Sequence, residues 1–141
     1  MPALDEREQA AISDAFATLE RAADVVLELG PIATPVTLLA AGGREIDSNA
    51  VTRDIAEAVC GLGGDRVSLS VVDHDEPGPW PRLTIGPGLV YHGMPLGYEL
   101  TTLVHAIVEA GRAEPSLLPA SRDRLATLVR DVAIDVFVTP T

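Results

Sequence analysis

WPRLTIGPGLVYHGMPLGYEL, residues 80–100, holds in one run a proline-led strand, a tight turn, a second strand, a proline–glycine break and the start of a helix. Leu83, Thr84 and Ile85 are β-formers. Gly86-Pro87-Gly88 supplies turn chemistry, and Leu89-Val90-Tyr91 reads as a strand, so the pair is predicted to be an antiparallel hairpin. Gly93, Pro95 and Gly97 interrupt the chain, and apolar residues then recur with helical spacing at Leu100, Leu103, Val104, Ile107 and Val108. The stretch contains no nucleophile, ligand cluster or phosphate-binding loop, so it speaks to architecture before chemistry.

Upstream, Ile12, Phe16, Leu19, Ala23 and Val26 form one apolar stripe, which predicts a single helix from Asp5 to Leu29 closed by Gly30-Pro31. Such a helix packs on its own domain or serves as a dimerisation helix. Pro35 to Ala40 reads as a buried strand and Ala41-Gly42-Gly43 as a loop. Asp47 or Ser48 caps the next helix, whose buried side is Val51, Ile55 and Val59. Gly61, Gly63 and Gly64 end it, and Val67 to Val72 is the next strand, parallel to the first through the helical crossover. Beyond Gly111, Pro115 or Ser121 starts another helix with Leu125, Leu128 and Val129 on its apolar face. Ile134 to Val138 reads as a strand with Thr139-Pro140-Thr141 after it.

The totals narrow the function. The 141 residues carry a net charge of −11, and arginine supplies all the basic charge. So acidic a surface repels phosphate backbones and anionic lipid, which argues against nucleic-acid and membrane-surface partners. No apolar run approaches the roughly 20 residues of a membrane helix. The acidic, polar stretch Met1 to Gln9 is no signal peptide, so the expected location is the cytoplasm. A single cysteine, Cys60, excludes an internal disulfide.

Few residues invite chemistry. Cys60 closes a helix among apolar neighbours and reads as a small core residue rather than a reactive thiol. His74 stands with Asp73, Asp75 and Glu76, either a metal-ligating cluster or a solvated acidic loop. His92 and His105 read as surface or boundary residues, and Ser48 as a cap. Tyr98 and Glu99 open a helix, where Glu99 suits the first turn. The glycines match no nucleotide-binding spacing. No catalytic residue, cofactor site or metal site is assigned.

Two stretches carry a family resemblance. Tyr91-His92-Gly93-Met94-Pro95-Leu96-Gly97-Tyr98-Glu99-Leu100 leads into the helix from Thr101 to Ala110, and Ile134-Asp135-Val136-Phe137-Val138-Thr139-Pro140-Thr141 closes the chain. Both resemble the protein disulfide oxidoreductases, glutaredoxin-like proteins made of two fused thioredoxin folds. The N-terminal domain of the alkyl hydroperoxide reductase flavoprotein subunit is similar. The resemblance implies an α/β, thioredoxin-like fold: a mixed sheet built from a βα and a ββα unit, with an extra N-terminal helix and a C-terminal helix and strand. It divides the chain into an N-terminal helix (1–30), a thioredoxin-like domain without a Cys-x-x-Cys motif (31–112), and a connecting helix with the first strand of a second such domain (113–141).

The resemblance also implies structural roles for Trp80, Pro95, Gly97 and Glu99, and makes Pro81 the cis-proline that faces the redox motif in such folds. The motif's place here is Ala41 to Asn49, which has no cysteine. The first fold is therefore expected to be redox-silent, a scaffold and docking unit for a second half. In the family the Thr-Pro-Thr tail runs straight into Cys-Pro-Tyr-Cys. Three explanations fit a chain stopping there: a cut fragment, a natural single fold, or a UGA codon for selenocysteine taken as a stop. The alternative function is a stand-alone, non-catalytic interaction or dimerisation module.

Overall fold

The computed structural model describes residues 4–32, 36–37 and 45–138. Helix α1 (Glu6–Ala17) starts at a reciprocal cap. The Asp5 carboxylate accepts from Glu8 N at 2.7 Å, and Glu8 Oε2 accepts from Asp5 N at 2.8 Å. The helix stops at Ala17, and Ala23–Leu29 is strand β1. A single helix reaching Leu29 is thus corrected. Ala23, Val25, Leu27 and Leu29 are buried while Asp24, Val26 and Glu28 alternate outward, a period of two that the helical stripe through Ala23 and Val26 conceals. The turn between α1 and β1 is held from far away: the N–H groups of Glu20 and Arg21 both donate to Gly111 O, each at 2.9 Å.

Strand β2 (Val36–Thr37) pairs antiparallel with β3 (Glu45–Ile46) in a separate two-stranded sheet. The remainder of the predicted strand, at 35 and 38–40, and the loop at 41–43 lie outside the described residues. Helix α2 (Ser48–Gly61) is capped by Asp47, whose Oδ1 accepts from Ala50 N at 3.0 Å. Its inner side is Thr52, Ile55, Ala56, Val59 and Cys60, with Val51 half-buried. A 3₁₀ turn at Gly64–Arg66 leads into β4 (Val67–Asp73). The hairpin β5 (Arg82–Ile85) and β6 (Leu89–His92) turns at Gly86, whose φ of 57° suits glycine. Helix α3 (Tyr98–Ala110) follows.

The main sheet runs β4-β1-β5-β6. β4 is parallel to β1, and the other two neighbouring pairs are antiparallel. β4's parallel neighbour is therefore 23–29, not the segment after Pro35, so the central strand of the sheet lies before residue 31 and the boundary expected there falls inside the fold. Helices α2 and α3 pack on β1, and α1 packs on α3. The core between them holds Phe16, Leu27, Leu83, Ile85, Val59 and Ile107. The opposite sheet face, with Val26, Thr84, Val72 and Val90, is half-buried to exposed among the described residues.

Helix α4 (Pro119–Ala126) begins with proline in its first turn. Leu125, Leu128 and Val129 are exposed. The stretch from Ile134 to Val138 is extended without a strand partner among the described residues, and its apolar side chains are 60–96% exposed. These apolar residues do not join the core. No described helix is long and apolar enough to cross a membrane.

Leu27 is fully buried at the centre of the sheet. Leu27→Ala is expected to destabilise the fold by about 2–5 kcal/mol through lost burial and a cavity, read from urea unfolding.

Candidate functional site

The C-terminal end of β1 gathers the residues singled out around Pro81. The Trp80–Pro81 peptide is cis. Pro81 and Pro95 are both fully buried, and Gly93 N donates to Pro81 O at 3.0 Å, tying the end of β6 to the start of β5. Gly97, at φ 58°, turns the chain into α3. Glu99 lies in that helix's first turn, 8% exposed, with its Oε2 unpaired. Tyr91, inside the rim, donates from its hydroxyl to Met94 O at 3.2 Å. Burial, and then the Glu99 carboxylate, push its phenol upward.

Trp80 covers this end of the sheet. A Cβ built on Gly30 would meet its indole at 2.7 Å, and one built on Gly78 would do the same. A side chain at either position would collide with the ring where it lies. His74 stacks on the indole with centroids 4.1 Å apart and planes 4° apart. The indole N–H donates to Glu76 O at 3.0 Å. The 74–80 loop is fastened to the end of β1 by His74 N to Leu29 O at 2.8 Å and by a bridge between Ile32 and Gly78. Asn49, at the start of α2, donates to Gly30 O at 2.7 Å.

Beneath the indole is a charged network that the sequence reading does not contain. Glu28 and Arg82 are directly opposed across β1 and β5. The guanidinium donates to both carboxylate oxygens, at 2.6 and 2.7 Å, and lies 5.2 Å from the Trp80 ring centroid. His74 Nε2 meets Glu28 Oε1 at 3.1 Å. Arg82 holds the Glu28 carboxyl below its ordinary value against the opposing effect of burial, with His74 adding to the lowering. The available signal is a lone carboxylate at the inner end of an apolar strand, which needs a partner.

The remaining candidates separate. Asp73 turns to Arg53 at 3.1 Å while His74 turns to Glu28. No group of three His, Cys, Asp or Glu side chains suited to a metal ion forms among the described residues. His92 Nδ1 lies 3.1 Å from Pro79 O, and His105 lines an open groove between α1 and α3. Cys60 is buried at the C-terminal end of α2, and burial pushes its thiol up to about 12. Ser48 is also buried, but as the first residue of α2 rather than its cap. Among the described residues the rim is thus a packed surface without a thiol or a nucleophile–base pair.

No family model and no curated protein matches the chain. Solved structures do. A protein disulfide oxidoreductase from Aeropyrum pernix K1 superposes with a TM-score of 0.71 at 17% identity, over 91% of this chain and 56% of that one. The alkylhydroperoxide reductase AhpF of Enterococcus faecalis, in a mutant form, gives 0.68 at 16% identity, over 88% and 60%. The NTD_N/C domain of the same enzyme gives 0.67 at 15%, over 87% and 60%. The fold is thioredoxin-like, and the chain spans between half and two thirds of these neighbours' length.

Glu28→Gln is expected to lower stability by about 1–2 kcal/mol at pH 7, because Arg82 keeps only a neutral partner in a site water partly screens. The depressed carboxyl contributes fully above its ordinary value of 4.5 and loses that contribution as pH falls through its folded value. Urea unfolding of wild type and variant should therefore differ at pH 7 and converge as the medium is acidified below about pH 4.

Proposed function

We propose that this chain is a redox-silent thioredoxin-fold unit of a thiol–disulfide oxidoreductase, a scaffold and docking surface for a second thioredoxin fold that does the chemistry. The observation that carries this reading is the place of the only cysteine. Cys60 lies buried at the C-terminal end of α2, where the helix dipole disfavours a thiolate, while the rim around cis-Pro81 has Gly30 under an indole. A thiol serves as nucleophile only as its anion, so attack on a disulfide has no agent here.

The exposed apolar run supports the docking role. Val129, Ile134, Val136 and Phe137 are 77–97% exposed, too much apolar surface in one short stretch to remain in water when a partner fold is at hand. In the proposal, residues 113–141 lead into that second fold, with Ile134 to Val138 as its first strand and a cysteine or selenocysteine as its attacking group. A selenol ionises more readily than a thiol and suits that position. A stand-alone interaction module is the second reading, favoured by an uncharged free edge on the sheet.

Two measurements test the first reading. The 141-residue chain should show no reduction of insulin disulfides above the dithiol background, and Cys60 should react with a thiol reagent only after unfolding. Reading the gene past the Thr141 codon should reveal, in frame, a cysteine or UGA codon and a second thioredoxin fold. Turnover by the isolated chain, or an ordinary stop codon with no such fold after it, overturns the proposal.

A further inference from the structure

Among the described residues, strand β6 is the free edge of the sheet. Its register fixes which backbone groups are free. Gly93 N donates to Pro81 O, so residues 81 and 93 form a hydrogen-bonded pair across β5 and β6. Antiparallel pairs alternate, and the register opposes Leu83 to Tyr91 and Ile85 to Leu89. Those pairs face inward, so the N–H and C=O groups of Val90 and His92 point away from β5. No backbone donor or acceptor among the described residues meets them.

An open edge usually carries charge or proline on the strand itself. This one carries neither. No residue from Leu83 to Tyr98 has a formal charge, in a chain of net charge −11. Leu89 and Val90 are 43% and 51% exposed. The opposite edge differs: β4 ends in Asp73, which is paired with Arg53. Two copies of so acidic a protein repel each other nearly everywhere, and the β6 edge is where they meet without opposing like charges.

We infer that β6 pairs antiparallel with β6 of a second copy, joining two four-stranded sheets into one across a two-fold axis at Tyr91. Centring the axis on Tyr91 is the isologous register that engages both free residues: Val90 of each copy opposes His92 of the other, and each such pair exchanges both N–H···O bonds. Tyr91 opposes its own mate as the close, non-hydrogen-bonded pair. With only four residues in the strand, the seam is small and belongs with weak, reversible interfaces. The inference does not depend on a second thioredoxin fold.

Sedimentation of the 141-residue chain tests it. The mass should rise from 14.8 kDa toward twice that value between about 1 µM and 1 mM. Val90→Asp, at an exposed position, should keep the circular dichroism spectrum and weaken association at least about tenfold. Tyr91→Cys should form an intermolecular disulfide in air, because Cα atoms of a non-hydrogen-bonded pair stand about 4.5 Å apart. A cysteine in place of exposed Thr102 should not. If Val90→Asp fails to fold, the Tyr91 cross-link decides. A wild type that is monomeric throughout, or a dimer that ignores Val90→Asp and yields no Tyr91→Cys cross-link, overturns the inference.

Discussion

One carbonyl oxygen directs this fold. Gly111 O, just past α3, accepts from the N–H groups of both Glu20 and Arg21. The Arg21 guanidinium reaches on to the carbonyls of Arg112 and Ala113. These contacts stop the first helix from running on, turn the chain, and launch β1 into the middle of the sheet. β1 then takes β4 on one side and β5 on the other and buries alternate residues under α2 and α3. A Cβ on Gly111 would lie 2.4 Å from the Leu19 side chain, so the close approach needs glycine there. Without that approach the stretch from Thr18 to Leu29 has a helix-compatible composition and no punctuation to interrupt it.

This is why the switch from α1 to β1 reads wrongly from sequence while the elements in the middle of the chain are legible. The hairpin, α2, β4 and α3 announce themselves through local signals: turn glycines, caps and apolar spacing. The switch from α1 to β1 has no glycine or proline, and its apolar positions satisfy a helical period through Val26. The competing signal is the alternation Ala23, Val25, Leu27, Leu29, with β-branched residues at 25 and 26. Tertiary pairing about 90 residues away overrides propensity there. The same limit applies at the other end: Ile134 to Val138 has strand composition, but composition supplies no neighbour, and the described structure provides none.

The candidate site is legible in its backbone and opaque in its charges. Trp80-Pro81, Pro95 and Gly97 are punctuation and can be read as such. Glu28 and Arg82 are neighbours only once β1 is a strand, so assigning that one element to a helix hides the strongest polar interaction of the site. His74 stands out for its acidic loop neighbours, yet its partners come from β1 and from Trp80. Spacing along a loop says little about which side chains converge when the loop folds back over a sheet.

The rim bears on the proposed redox silence beyond the missing cysteine. Thiolate chemistry needs a thiol at a helix N-terminus, access for a disulfide, and no competing occupant. Here Asp47 already accepts from the first turn of α2, Asn49 is spent on Gly30 O, and the indole occupies the space above Gly30. The ring is held by stacking with His74, by its N–H bond to Glu76 O and by the guanidinium of Arg82, which is itself anchored on Glu28. The space beside Gly30 is thus invested in packing, with the indole fixed from both its ring and its N–H.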